Sequence, residues 1–446
     1  MTVPRFLALV ACLCVLPLHA EPLPQPLTLE QALRLGRESH PDIRAQLAEL
    51  DLSRARRDET AARVALDARI VADARWVDPS TSGGADFTGD ARFTSRNDSR
   101  LHLILSRRLY DFGQSAAETA AAAALSEAEE TRLGQVRDLH RLQIMRDFFD
   151  VLLADLAFAE ADEAMAIEFV RLERIQDRNE LGQASDVQLA DQQYRYQIKR
   201  LARYRAQARQ RTSRARLAET LNRPGDLPAD LVEPTLRDVT VEPPDVEEWI
   251  QQAMDGNPGL VALRAEAEAA RAQMRAARYA GRPVLSGELR ASEYAREFTT
   301  RDKYRVGLLL DVPLYTGGRV AARRAEARAR LQKVEARMAG LQSELRQALV
   351  EAWERIGVLR AQRDQAISEL EFRDLALDRA RTLYDMEATA DLGDSMANFS
   401  AARLRRAEAE YQLALTWAEV AVLTGNPAWD PMAPGVAAAS PSPPPP

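Results

Sequence analysis

Two cysteines serve 446 residues, and both, Cys12 and Cys14, lie within the first fourteen positions. Beyond them the chain can form no disulfide, no thiol nucleophile and no thiolate metal site. Histidine is nearly as scarce. His40, His102 and His140 are scattered, with no pair at the i, i+4 spacing that sets two imidazoles on one helix face, so no metal site is expected. Lysine occurs only at Lys199, Lys303 and Lys333, and arginine carries the rest of the positive charge. The net charge is −7, which argues against nucleic acid as a partner because phosphate binding needs a basic surface. After residue 20 no segment approaches 18 uninterrupted apolar residues, so no transmembrane helix is expected. The sequence has no phosphate loop and no nucleophile–base arrangement. No catalytic residue and no cofactor is therefore expected, and the chain does not read as an enzyme. Proline is absent from residues 115–180 and 320–386, where the only glycines are Gly134, Gly340 and Gly357.

The N-terminus does hold an apolar run. Arg5, then FLALVACLCVLPL, then Ala20 read as an export signal over residues 1–20. The segment Leu9–Cys12 (LVAC) offers a second possibility, cleavage at a lipoprotein box with Cys12 lipidated.

The rest of the chain is written twice. LTLEQALRLGRESHPDIR opens one copy, with a capping box expected from Thr28 and Gln31; DVEEWIQQAMDGNPGLVALR opens the other, with Asp245 and Glu248 in the same places. Each short helix stops before a proline, at His40-Pro41 and Asn257-Pro258, and a second helix follows. The period then changes. ARIVADARW (68–76), RLHLILSRRLY (100–110), VLSGELRASEY (284–294) and KYRVGLLLDVPLY (303–315) alternate and read as strands. Val306, Leu308, Leu310 and Val312 share one face of the last. Trp76, Tyr110, Tyr304 and Tyr315 fall near strand ends, where an aromatic girdle is expected. Two matched motifs follow, RLYDFGQ (108–114) and PLYTGGR (313–319), with Gly113 and Gly318 at the bend. The proline-free stretches come next, rich in Ala, Arg, Glu, Leu and Gln, and each makes a rod of roughly 100 Å if helical. LGQASDVQLA (181–190) and MEATADLGDSMA (386–397) break the rods, and helix resumes after each. The expected organisation is a first repeat over 21–223 (hairpin 66–110, long helix hairpin 115–221), a linker over 224–244 and a second repeat over 245–427. The second repeat holds a hairpin at 283–315 and a long helix hairpin at 320–425, and residues 428–446 form a proline-rich disordered tail.

This order of elements, with LTLEQALRLGRESHPDIR, RLYDFGQ, VPLYTGGR, GQASDVQLADQQY and AEVAVLTGNP as its carriers, resembles the outer-membrane efflux protein (TolC) family over residues 27–427. The resemblance implies a mixed α/β membrane protein. Three chains would pool their four strands each into one twelve-stranded barrel, continuous with a helical barrel in the periplasm. Four strands alone leave unpaired edges, which a bilayer does not tolerate. The implied function is the exit duct of a tripartite efflux or type I secretion system. The implied partners are two further copies, a periplasmic adaptor, an inner-membrane pump of RND or ABC type, and outer-membrane lipid. The alternative is a periplasmic adaptor or coiled-coil scaffold, against which the paired strands argue. The resemblance also implies site residues. Asp391 and Asp394 would line a closed periplasmic entrance, Asp186 would be the equivalent of Asp391 in the first repeat, and Tyr384 would link neighbouring helices. Gly182, Gln183, Ala184 and Ser185, with Glu387, Ala388, Thr389 and Ala390, would dock the adaptor. Both turns are shorter than the family archetype's, the arginine of the longer turn has no counterpart, and Glu387 stands where the first repeat has Gly182.

Overall fold

The computed structural model describes residues 26–36, 40–76, 97–226, 229–236, 241–295, 302–386 and 391–426. In chain order the first repeat holds α1 (Leu29–Leu35), α2 (Pro41–Ala62), β1 (Asp67–Asp73), β2 (Arg100–Tyr110), α3 (Gln114–Glu180) and α4 (Asp186–Thr220). The second holds α5 (Val246–Gly256), α6 (Pro258–Tyr279), β3 (Val284–Tyr294), β4 (Tyr304–Asp311), α7 (Arg319–Asp385) and α8 (Leu392–Thr424). The signal over 1–20, Cys12 and the tail over 428–446 lie outside the described residues.

The duplication is close. The long helices α3 and α7 each run 67 residues, about 100 Å at 1.5 Å per residue. Thr28 and Gln31 form the expected capping box. The second repeat departs here: Asp245 caps α5 by accepting from the Glu247 N–H, and Glu248 does not reciprocate. His40 and Asn257 cap the helices that begin with Pro41 and Pro258. Among the described residues no helix is long and apolar enough to cross a membrane.

The four strands form one antiparallel sheet in the order β1-β2-β3-β4. Its register sorts the side chains. Ala68, Leu105, Leu289 and Val306 lie abreast, as do Ile70, Leu103, Ala291 and Tyr304. On the other face Asp67, Ser106, Glu288 and Gly307 lie abreast, as do Arg69, Ile104, Arg290 and Arg305. One face is therefore mainly apolar and the other mainly polar, in sheet-wide rows. Eleven residues in β2 reach about 37 Å at 3.4 Å each, or about 26 Å along the normal when tilted near 45°, enough for an outer-membrane apolar band. Two exposed aromatic groups mark its limits: Trp76 and Tyr304 at the loop end, Tyr110 and Tyr315 at the helix end.

Two strand ends differ from the sequence expectation. β4 stops at Asp311, opposite Val284, because Pro283 and Pro313 cannot donate to the ladder, although alternation continues to Leu314. β1 stops at Asp73, and Trp76 makes only an isolated bridge to Asn97.

The helices make a single layer. Near the sheet the order of contact is α2-α3-α6-α7; toward the helix turns it is α4-α3-α8-α7. The main core lies partway along the rods, where α1 and α5 pack against α3, α7 and α8. Phe148, Phe149, Leu349, Ile356 and Leu413 are fully buried there, Phe149 stacks on Tyr411 at 4.6 Å, and Trp249 meets Trp417 edge-on at 5.6 Å. The linker is tied to this core: Leu231 and Leu236 pack on it, and the Trp353 indole donates to the Pro244 carbonyl at 3.0 Å. Both layers end in open edges, β1 with α2 and α4 on one side, β4 with α7 on the other.

Candidate functional site

Two places combine unusual backbone with charged side chains: the strand-to-helix junctions and the turns between the long helices. At both junctions two successive residues are left-handed. Gly317 and Gly318 have φ of 57° and 82°; Phe112 and Gly113 have 57° and 93°. The strand is thereby turned into the helix axis. A phenylalanine holds such a φ only against steric cost, and Asp111 supplies the restraint. Its carboxylate accepts from the N–H of Gly113 at 3.2 Å, from the N–H of Ser115 at 2.8 Å, from the Ser115 hydroxyl and from Arg108. Burial pushes the Asp111 carboxyl up, but these hydrogen bonds outweigh it and hold the group below the usual carboxylate range. The second junction dispenses with this by using two glycines. Gly318→Ala is expected to cost about 1–2 kcal/mol because no relief exists at φ 82°. Gly340→Ala, mid-helix in α7 with open space around its Cβ, is expected to stabilise by about 0.5–1 kcal/mol. Opposite shifts of the thermal melting midpoint, followed by helical circular dichroism, check the pair.

At the first helix turn Gly182 is left-handed with φ 71°. The Gln183 N–H donates to the Arg178 carbonyl at 2.7 Å, and the Asn179 amide donates to Ala184 O at 2.9 Å and to Asp186 at 3.1 Å. Ser185 and Gln188 then form a reciprocal capping box for α4. Local bonds thus fix the turn, and the exposed Leu181 and Val187 flank it. At the second turn, Glu387, Ala388, Thr389 and Ala390 lie outside the described residues. Asp391 caps α8, accepting from the Asp394 N–H at 3.2 Å. Its place in the first repeat is therefore held by Ser185; Asp186 sits one residue further on, inside α4.

Asp391 and Asp394 are brought together, and not as free carboxylates. Arg171, on α3, lies 2.7 Å from Asp391 and 2.7 Å from Asp394, and 2.9 Å from Glu168 on its own helix. Gln192 on α4 donates to Glu168 at 2.6 Å, so one network joins α4, α3 and α8 across the two repeats. Gly393 makes the approach possible, since a Cβ there would stand 3.1 Å from Ile167. Burial pushes the Asp391 carboxyl up, but the Asp394 N–H and the Arg171 charge prevail and hold it below the usual range. Repulsion between the two carboxylates is thus countered within the chain by the Arg171 guanidinium. Tyr384 is exposed, and among the described residues α4 and α7 make no contact, so Asp186 and Tyr384 do not meet within one chain.

Sequence reasoning missed Arg171 and Asp111. It also missed that the rings of His40 and His140, a hundred residues apart, meet in a tilted contact with centroids 4.2 Å apart. Burial, with His40 alongside, lowers the His140 pKa.

A chain with a four-stranded antiparallel sheet, two of its strands of membrane-crossing length, on rods of about 100 Å, open along both edges, has the architecture of one segment of a barrel set on a helical conduit. The chain matches the family model for outer membrane efflux protein over residues 249–426. Among solved structures it is similar to CusC, with a TM-score of 0.71 at 18% identity over 89% of this chain and 92% of that one. It is also similar to the outer membrane protein VceC of Vibrio cholerae, with a TM-score of 0.69 at 18% identity over 89% and 96%. The MtrE outer membrane channel of Neisseria gonorrhoeae, described in its open state, gives a TM-score of 0.66 at 18% identity over 89% and 88%. At these identities the likeness is one of fold. No curated protein sequence matches.

Proposed function

We propose that three copies of the chain close edge to edge into a passive duct across the outer membrane and periplasm, the exit of a tripartite efflux or type I secretion system. The carrying observation is the pair of open edges: β1 and β4 leave backbone groups unpaired beside an apolar face, and only closure satisfies them in lipid. The aromatic residues at both ends of the strands support the same placement. An adaptor or scaffold role would leave that apolar face in water, which disfavours it. Opening falls to partners in this reading: an adaptor docked on the turns around Gly182–Ser185 and 387–390, and an inner-membrane pump. The cargo is small molecules or a secreted polypeptide.

The helix turns form the periplasmic entrance in this reading, with Asp391 and Asp394 at its constriction and Asp186 and Tyr384 facing each other between neighbouring chains. Glu168, Arg171, Asp391 and Asp394 together carry a net charge of −2 per chain, so a closed ring of them prefers cations. Recording from single channels in planar bilayers tests this. Asp391→Asn with Asp394→Asn brings the cluster to zero and is expected to abolish cation-over-anion preference. An unchanged reversal potential in a salt gradient would place the constriction elsewhere.

A further inference from the structure

The two aspartates at the start of α8 are spaced as a cation ligand pair would be, yet the space between them is occupied. We propose that the Arg171 guanidinium is a built-in counter-cation that takes the place of a divalent ion between Asp391 and Asp394 and makes the entrance indifferent to such ions. The inference rests on the reading of this turn as the channel entrance, and concerns which cations that entrance accepts.

The geometry carries it. The same terminal nitrogen of Arg171 stands 2.7 Å from one carboxylate oxygen of each aspartate, and the other terminal nitrogen meets Glu168 at 2.9 Å. The second oxygen of Asp391 is committed to the Asp394 N–H as the helix cap. Ca²⁺ needs six to eight oxygen ligands and Mg²⁺ near-octahedral geometry, so neither can enter without first displacing the guanidinium. Among the described residues no three carboxylates converge as a metal site, and at this turn the guanidinium lies against three carboxylates, those of Glu168, Asp391 and Asp394. Arg171 is also well placed to win the competition. It is tethered to α3, so its local concentration exceeds that of a millimolar free ion. Its charge persists at every pH at which the protein folds, and a planar fork of donors serves several oxygens at once, which a lysine ammonium does less well. Glu168 is held in turn by Gln192, which aims the guanidinium across to α8.

The test uses the full chain, purified as the assembled oligomer in mild detergent, with Ca²⁺ alone as the probe in titration calorimetry. The native protein is expected to show no saturable uptake at this turn. Arg171→Gln is expected to gain one Ca²⁺ per chain, with an affinity on the order of 10⁻⁴–10⁻³ M as for weak extracellular sites. Adding Asp391→Asn and Asp394→Asn to Arg171→Gln should remove that gain. Arg171→Lys, which keeps the charge but not the fork, is expected to gain a weaker response and serves if the glutamine variant does not assemble. Native protein that binds Ca²⁺ here as tightly as Arg171→Gln overturns the proposal. Assembled Arg171→Gln, or Arg171→Lys in its place, with no gain at all overturns it equally. Bilayer recordings separate this from the entrance reading: if Arg171→Gln binds Ca²⁺ without Ca²⁺ reducing its conductance, the counter-cation role stands and the constriction lies elsewhere.

Discussion

Val306→Arg is expected to keep the protein out of the outer membrane. Val306 stands in a row with Ala68, Leu105 and Leu289, apolar across all four strands, whereas the row of Leu308 contains Arg107 and lies nearer the helix end. Val306 is also 80% exposed. In water an arginine there would be harmless. Facing mid-bilayer lipid it costs about 2–4 kcal/mol per chain, and a closed assembly bears it once for every copy. That sum is comparable with the whole stability of a typical domain, about 5–15 kcal/mol. Gly307→Ser, one position along, points to the polar face into open space and is expected to change stability by less than about 0.5 kcal/mol. Fractionation of cells expressing each variant gives the readout. Normal amounts of the Val306→Arg protein in outer membranes would show that this face does not meet lipid.

Leu375→Asp is expected to break the assembly while leaving the subunit folded. On α7, Leu377 is buried, and two residues of helix turn the chain by about 200°. Leu375 therefore points away from Leu377, on the far side of the rod, and is 71% exposed. Phe372 is exposed beside it, and on the opposite edge of the layer α4 exposes Tyr194, Ile198, Leu201 and Tyr204 at helical spacing. Joining such edges buries one apolar ridge against another, with about 1.5–3 kcal/mol per large side chain. An aspartate at 375 loses that term and adds the cost of an unpaired buried charge, about 2 kcal/mol or more at each contact. Sedimentation in detergent should then show single chains with native helix content. A variant that sediments as the native protein would mean that Leu375 faces the lumen or the periplasm.

Much of this was legible in the sequence, for reasons that differ from element to element. β2 and β3 span 100–110 and 284–294, the residues that alternation picks out, because a sheet with one apolar and one polar face enforces a period of two. The rods were legible through what they lack, since a single proline would have interrupted them. β4 was read too long because alternation persists past the point where Pro283 and Pro313 end the pairing. Asp245–Glu248 looked like a capping box, but spacing records only opportunity; the carboxylate found the Glu247 N–H instead. At the second helix turn the aspartates were named and their charge partner was not. Arg171 lies 220 residues before Asp391, and no local period marks a contact made by the packing of α8 on α3. Phe112 at a left-handed φ was hidden likewise, because its restraint is a set of hydrogen bonds to Asp111 and not a glycine.

The central claim is that the barrel and the helical conduit exist only when copies close edge to edge, because four strands cannot close a barrel on their own. Native mass spectrometry of the purified protein in mild detergent counts the chains directly. The expected result is a single species of three chains that resists dilution. A stable one-chain species that still conducts ions in a planar bilayer would contradict the claim.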